Sequence, residues 1–137
     1  MAKRYVTVRM KADHEYEAVN AQGNVVQIDM YDPQDKKAQS PMDLLLSAVG
    51  SCASVDAVLM MKKKRKTVND LIVEVEGERN EGVPAFYTAI HMKFILISPD
   101  AKEEEFEKVV ALSVEKYCSV ASSLKAAISY SSEVRTA

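Results

Sequence analysis

The chain has 137 residues, 47% hydrophobic and 28% charged, which suits one folded domain spanning 1–137 and excludes a disordered segment. Lys and Arg number 18 against 20 Asp and Glu, and the net charge of −2 excludes the basic excess of a dedicated nucleic-acid binder. Two cysteines and two histidines exclude a disulfide-knit scaffold and a four-cysteine zinc site, so no metal and no cofactor is expected.

The N-terminal residues lack the apolar run of about 7–15 residues that a secretory signal needs, so a reducing, cytoplasmic compartment is expected. Val6, Val8 and Met10 alternate over 5–10 and predict a strand with one apolar face. A second strand is predicted over 14–19. Turn residues follow at Asn20, Gly23 and Asn24, then a third strand over 25–31 with Val26, Ile28 and Met30 on one face. The opening reads as a three-stranded antiparallel meander. The polar stretch 32–39, which holds Pro33, reads as a loop.

Ser40-Pro41 predicts a helix start: a serine hydroxyl can accept a free N–H at the N-cap, and proline suits the first helical position. The helix is predicted over 41–64, about 36 Å at 1.5 Å per residue. Its apolar residues, Leu44, Leu46, Val49, Val55, Val58, Leu59 and Met61 among them, run nearly all round, as in a helix lying in a core or a membrane. A membrane span over 42–61 anchored by the basic run 62–66 is opposed by Asp56 near its middle, which costs about 2.5–3.5 kcal/mol on insertion. The flanking amphipathic strands also need a core to pack on. A central core helix is therefore expected, and a chain this short leaves part of it for a second subunit to cover.

Strands are predicted over 68–79 and 86–97. Leu71, Val73 and Val75 form the inner face of the first, and Phe86, Ile90, Met92, Phe94 and Leu96 that of the second. Between them, Asn80 to Pro84 reads as a hairpin turn. Ser98-Pro99-Asp100 is expected to open a second helix, with Asp100 and Glu103 as its capping box. Phe106, Val109, Val110, Val114 and Tyr117 mark its buried face. A break near Ser119, a helical turn over 122–126 and a strand over 128–135 complete an α+β order of βββ-α-ββ-α-β.

Cys52 falls inside the long helix and Cys118 lies 66 positions later, at the end of the second. Free cysteines are often small core hydrophobes. They can also form a redox pair: one thiol takes the distal oxygen of a hydroperoxide and becomes a sulfenic acid, and a second thiol condenses with it to a disulfide. That chemistry is helped by a nearby cation, and Arg4 and Arg9 on the first strand are candidates by type. Asp56 stands one turn after Cys52 and either orients a cation or pairs with the meander. His14 and His91 fall on predicted strands without metal-ligand spacing. The run 62–66 reads as the solvated, dipole-complementing end of the long helix.

Ser40-Pro41-Met42-Asp43-Leu44-Leu45-Leu46 leading to Cys52, with Lys116-Tyr117-Cys118-Ser119-Val120 later, resembles the OsmC/Ohr family of osmotically inducible and organic hydroperoxide resistance proteins. The resemblance covers nearly the whole chain. It implies antiparallel sheets wrapped around long central helices in an intertwined homodimer, with two active sites at the subunit interface. It further implies that Cys52 reduces an organic hydroperoxide, that Cys118 resolves the product, and that a dithiol reductant such as a lipoylated protein recycles the pair. Three departures stand out. Met42 replaces the Glu that follows the proline in the peroxidase branches, with Asp43 one position later. Residues 11–16 lack the hairpin Arg, and Ser119 follows the second cysteine where proline is usual. The resemblance is thus to a branch lacking that Glu and Arg. The expected function is thiol-dependent reduction of hydroperoxides, with no nucleic-acid or membrane partner. The alternative is a non-enzymatic dimer that binds an apolar small molecule and keeps both cysteines in its core.

Overall fold

A computed structural model describes residues 2–137. The chain divides into two compact units, with the boundary between Leu45 and Leu46. In the first unit, β1 (Val6–Ala12), β2 (Glu15–Asn20) and β3 (Val25–Asp29) form the predicted antiparallel meander in the order β1-β2-β3. His14 lies in the β1–β2 turn at φ 65°, not on a strand, and Gly23 takes φ 87° in the next turn, where a left-handed backbone favours glycine. The apolar face predicted for β1 is present but uncovered: Val6, Val8 and Met10 are 60%, 60% and 65% exposed.

The segment after β3 is tied down by one carboxylate. Asp29 is fully buried and accepts the Lys36 ammonium and the N–H groups of Lys37 and Ala38, each of the latter at 2.8 Å. The Lys36 ammonium first, and the two N–H groups after it, hold the Asp29 carboxyl down at about 2 against the effect of burial. Pro33–Asp35 forms one 3-10 turn within this loop. At its end, Ser40 and Asp43 cap each other. The Ser40 N–H donates to the Asp43 carboxylate at 3.2 Å, and the Asp43 N–H donates to the Ser40 hydroxyl at 3.4 Å.

Helix α1 (Pro41–Lys63) begins there and ends one residue before the predicted limit. By length and composition it is apolar enough to cross a membrane. In the second unit its buried residues Val49, Ala53, Ala57 and Met61 join Ile90, Met92, Phe94 and Leu96 in one core, as expected of a core helix. Gly50 belongs to the same face. A Cβ built on it would stand 2.8 Å from a Val75 methyl, so the helix backbone approaches the strand that carries Val75 more closely than any side chain permits.

The end of α1 has a defined stop. The Lys66 N–H donates to the Met61 carbonyl at 3.1 Å, and the Arg65 N–H to the Lys62 carbonyl at 2.9 Å, with Arg65 at φ 60°. This is a Schellman motif with arginine where glycine is usual. Arg65→Gly is expected to raise stability by roughly 0.5–1 kcal/mol. It relieves about 1–2 kcal/mol of left-handed backbone, partly offset by the freedom glycine adds to the unfolded chain. Urea midpoints of the two proteins measure it.

Strands β4 (Asp70–Arg79) and β5 (Tyr87–Ile97) form an antiparallel hairpin, and β6 (Ala127–Arg135) adds to β5 in parallel. This second sheet is therefore mixed, where the resemblance implied antiparallel sheets throughout. Leu71, Val73 and Val75 occupy the inner face of β4 as predicted. Phe86 does not belong to β5. The strand starts at Tyr87 after a register shift between Glu78 and Arg79, and Phe86 is left exposed.

Asp100 does not cap the second helix. It accepts the N–H and hydroxyl of Thr67 and the Ser98 hydroxyl, which pins the end of β5 to the segment after α1. Helix α2 (Glu103–Leu112) starts three residues later, where Glu105 accepts the Lys102 N–H at 2.9 Å. Phe106, Val109, Val110 and Val114 are buried, as their spacing predicted, whereas Tyr117 is exposed, and α2 packs along β6. The helix widens into one π-helical turn (Ser113–Tyr117), breaks at Cys118 and resumes as α3 (Ser119–Ser122), three residues earlier than predicted. The α+β class and the order βββ-α-ββ-α-β stand, with the break making three α-helices.

Candidate functional site: two facing thiols

Cys52 is held on α1 by the helix on which Val49 and Ala53 enter the core, which leaves its side chain at the margin of the buried face, half-exposed. Cys118 is held by the break between the π-helical turn and α3. Its backbone is extended there, with φ −74° and ψ 103°, so its thiol turns inward and is 1% exposed. The Cys118 thiol accepts the Ala121 N–H at 3.4 Å, capping α3, and donates to the Val49 carbonyl at 3.9 Å, three residues before Cys52. The two thiols are neighbours, and both are free.

Burial above all pushes the Cys118 thiol above its usual range. The Ala121 N–H acts the other way, and the adjacent Cys52 thiol pushes it up again. Cys118 therefore stays protonated at neutral pH. The pair is asymmetric: one thiol meets solvent, and the other is withdrawn and protonated behind it.

The other predicted residues fall at various places. Asp56 is half-buried one turn after Cys52 and has no hydrogen bond or ion pair among the described residues. Asp43 is engaged with Ser40 at the start of α1. Arg4 precedes β1 and Arg9 lies on it. Both are exposed, and neither has a partner among the described residues. His91 is exposed on β5 between the hydroxyls of Ser129 and Ser131, at 2.7 and 3.1 Å. Lys66, in the basic run, is bound to Glu105 and to the Asp100 carbonyl rather than free in solvent. Sequence reasoning missed Val49 and Ala121, whose backbone groups hold Cys118. Backbone donors and acceptors leave no residue-type signal.

An α+β chain with one half-exposed thiol on a long helix, backed by a buried thiol at a helix break, defines a dithiol protein. The family model for OsmC-like proteins matches residues 34–133, and the chain belongs to that family. It is 41% identical to protein YhfA of Escherichia coli K12 over 92 residues, 67% of this chain and 69% of YhfA. A hypothetical protein from Aquifex aeolicus superposes with a TM-score of 0.88 at 29% identity, covering 100% of this chain and 99% of the other. The organic hydroperoxide resistance protein OhrB of Bacillus subtilis shares the fold, with a TM-score of 0.64 at 14% identity over 98% of each chain.

Proposed function

We propose that the chain reduces organic hydroperoxides through Cys52 and Cys118, in defence against oxidative stress. The observation that carries the reading is the asymmetric pair: the half-exposed Cys52 meets the peroxide, and the buried, protonated Cys118 stands against it ready to resolve the sulfenic acid. Organic peroxides suit the site because Val55 and Leu59, exposed on the same helix, give the flank of Cys52 apolar surface. A small dithiol, such as the lipoyl group of a lipoylated protein, would reopen the disulfide by exchange, and a reducing cytoplasm would hold the pair ready. The test is the thiol content and mass of the chain before and after one equivalent of cumene hydroperoxide. Loss of both thiols supports the reading, and two intact thiols overturn it.

A second reading rests on an open apolar groove of about 400 Å³ lined by Ser54, Val55, Val58, Leu59, Val68 and Leu71. In that reading the groove takes an apolar small molecule and both cysteines are only core residues. The same thiol titration separates the two.

The reading includes an intertwined homodimer. Exposure of Val6, Val8 and Met10 on β1 leaves an apolar face that a second chain would cover. Sedimentation at micromolar concentration is expected to give twice the chain mass of 15.2 kDa; a folded monomer would refute this part.

A further inference from the structure

Reduction of an alkyl hydroperoxide leaves an alkoxide, a strong base that departs slowly unless it is given a proton. The chain has few groups able to give one at Cys52. Cys118 is needed as a thiol for the second step. Asp43 is tied to Ser40 at the start of the helix. Asp56 remains. It follows Cys52 by four residues on α1, which places the two side chains on one helix flank with Cβ atoms about 5–6 Å apart. Val55 and Leu59 add exposed apolar surface to that flank. Asp56 is half-buried there without a hydrogen bond or ion pair among the described residues. Burying part of an unpaired carboxylate carries a cost that an apolar residue at this position would not.

We propose that Asp56 is a catalytic residue that carries the Cys52 proton to the leaving alkoxide. The inference rests on the peroxide-reducing reading above. The Cys52 S–H bond breaks and its proton passes to the Asp56 carboxylate. The sulfur attacks the distal peroxide oxygen, a sulfur–oxygen bond forms and the oxygen–oxygen bond breaks. The departing alkoxide takes the proton from Asp56 and leaves as the alcohol. Cys52 is left as a sulfenic acid that keeps the distal oxygen and its hydrogen. Sulfur is oxidised, the peroxide is reduced, and Asp56 ends in the carboxylate form in which it began. Reaction of the Cys118 thiol with the sulfenic acid then gives the disulfide and water.

The leaving group provides the test. The Cys52 thiol can also release its proton to solvent before the attack, so the loss of Asp56 is felt at the leaving group: cumene hydroperoxide releases a strongly basic alkoxide that needs the proton, whereas perbenzoic acid releases benzoate, which does not. Asp56→Asn has nearly the same shape and no transferable carboxyl proton. It is expected to slow sulfenic acid formation by cumene hydroperoxide about 100-fold, the lower range for a lost general acid–base group, while the rate with perbenzoic acid changes by less than about threefold. Asp56→Glu, which keeps the carboxyl group, is expected to recover most of the cumene hydroperoxide rate. Equal slowing with both oxidants, an unchanged or faster rate of Asp56→Asn with cumene hydroperoxide, or no recovery in Asp56→Glu would each overturn the role of Asp56. A wild-type chain that consumes neither oxidant would instead overturn the peroxide reading itself.

Discussion

Exposure of the reduced chain to one equivalent of cumene hydroperoxide is expected to remove both free thiols and lower the mass by about 2 Da, because the stable product is one intramolecular disulfide. Cys118→Ser keeps the reacting thiol but removes the resolving one. Its sulfenic acid has no thiol beside it, so excess peroxide should drive it to sulfinic acid, a gain of about 32 Da. Cys52→Ser is expected to abolish peroxide consumption: the remaining Cys118 is 1% exposed and its ionisation is pushed up by burial, so it offers neither access nor thiolate. In the proposed reading burial sets the order of the two residues, and mass spectrometry of the three proteins tests it. Peroxide consumption by Cys52→Ser at the wild-type rate would reverse the assignment.

The second large effect is expected at Gly50. The helix that carries Cys52 lies so close to β4 that even a Cβ at this position would reach 2.8 Å from the Val75 methyl. Valine side chains are stiff at χ1, so Val75 cannot swing aside freely. Gly50→Val should therefore push α1 away from the sheet and cost roughly 1–3 kcal/mol, despite the better helix propensity of valine. The companion change Val75→Ala should recover part of that loss when combined with Gly50→Val, although alone it removes buried surface. A double-mutant cycle in urea measures the coupling, and additive effects would mean that the two positions do not meet.

The parts of the fold that were legible in the sequence are those with a local cause. Ser40-Pro41 marked the start of α1 to the residue because capping is a contact within one turn. The alternation in β4 and the spacing in α2 followed from burial of one face. The misreadings share a different origin. Asp100 has the spacing of a capping residue, but Thr67, distant in sequence and adjacent in space, offers it two donors. Phe86 has the right parity for β5 until a register shift at Arg79 moves the strand past it. The parallel pairing of β6 is set by the path of the chain through α2 and α3, which no residue pattern encodes.

At the site the outcome was similar. The two cysteines were legible as a pair through their surrounding motifs. The withdrawal of Cys118 from solvent was not, because it depends on a π-helical turn and on an extended residue between two helical segments. The capping of Asp43 by Ser40 was equally local, yet it was read for Ser40 alone. A serine four positions before a leucine run suggests a cap, whereas an aspartate three residues on suggests both a cap partner and a catalytic carboxylate.

The meeting of Cys52 and Cys118 also bears on how the chain behaves after it has reacted. The two residues lie 66 positions apart, on opposite sides of the β4–β5 hairpin and α2. A bond between them would close a loop through most of the second unit and shrink the set of conformations open to the unfolded chain. In the chain-entropy account such a cross-link is worth about 4 kcal/mol. Oxidant would then leave behind a chain stapled against unfolding until a dithiol releases it, so the spent form would outlast the active one under heat or protease.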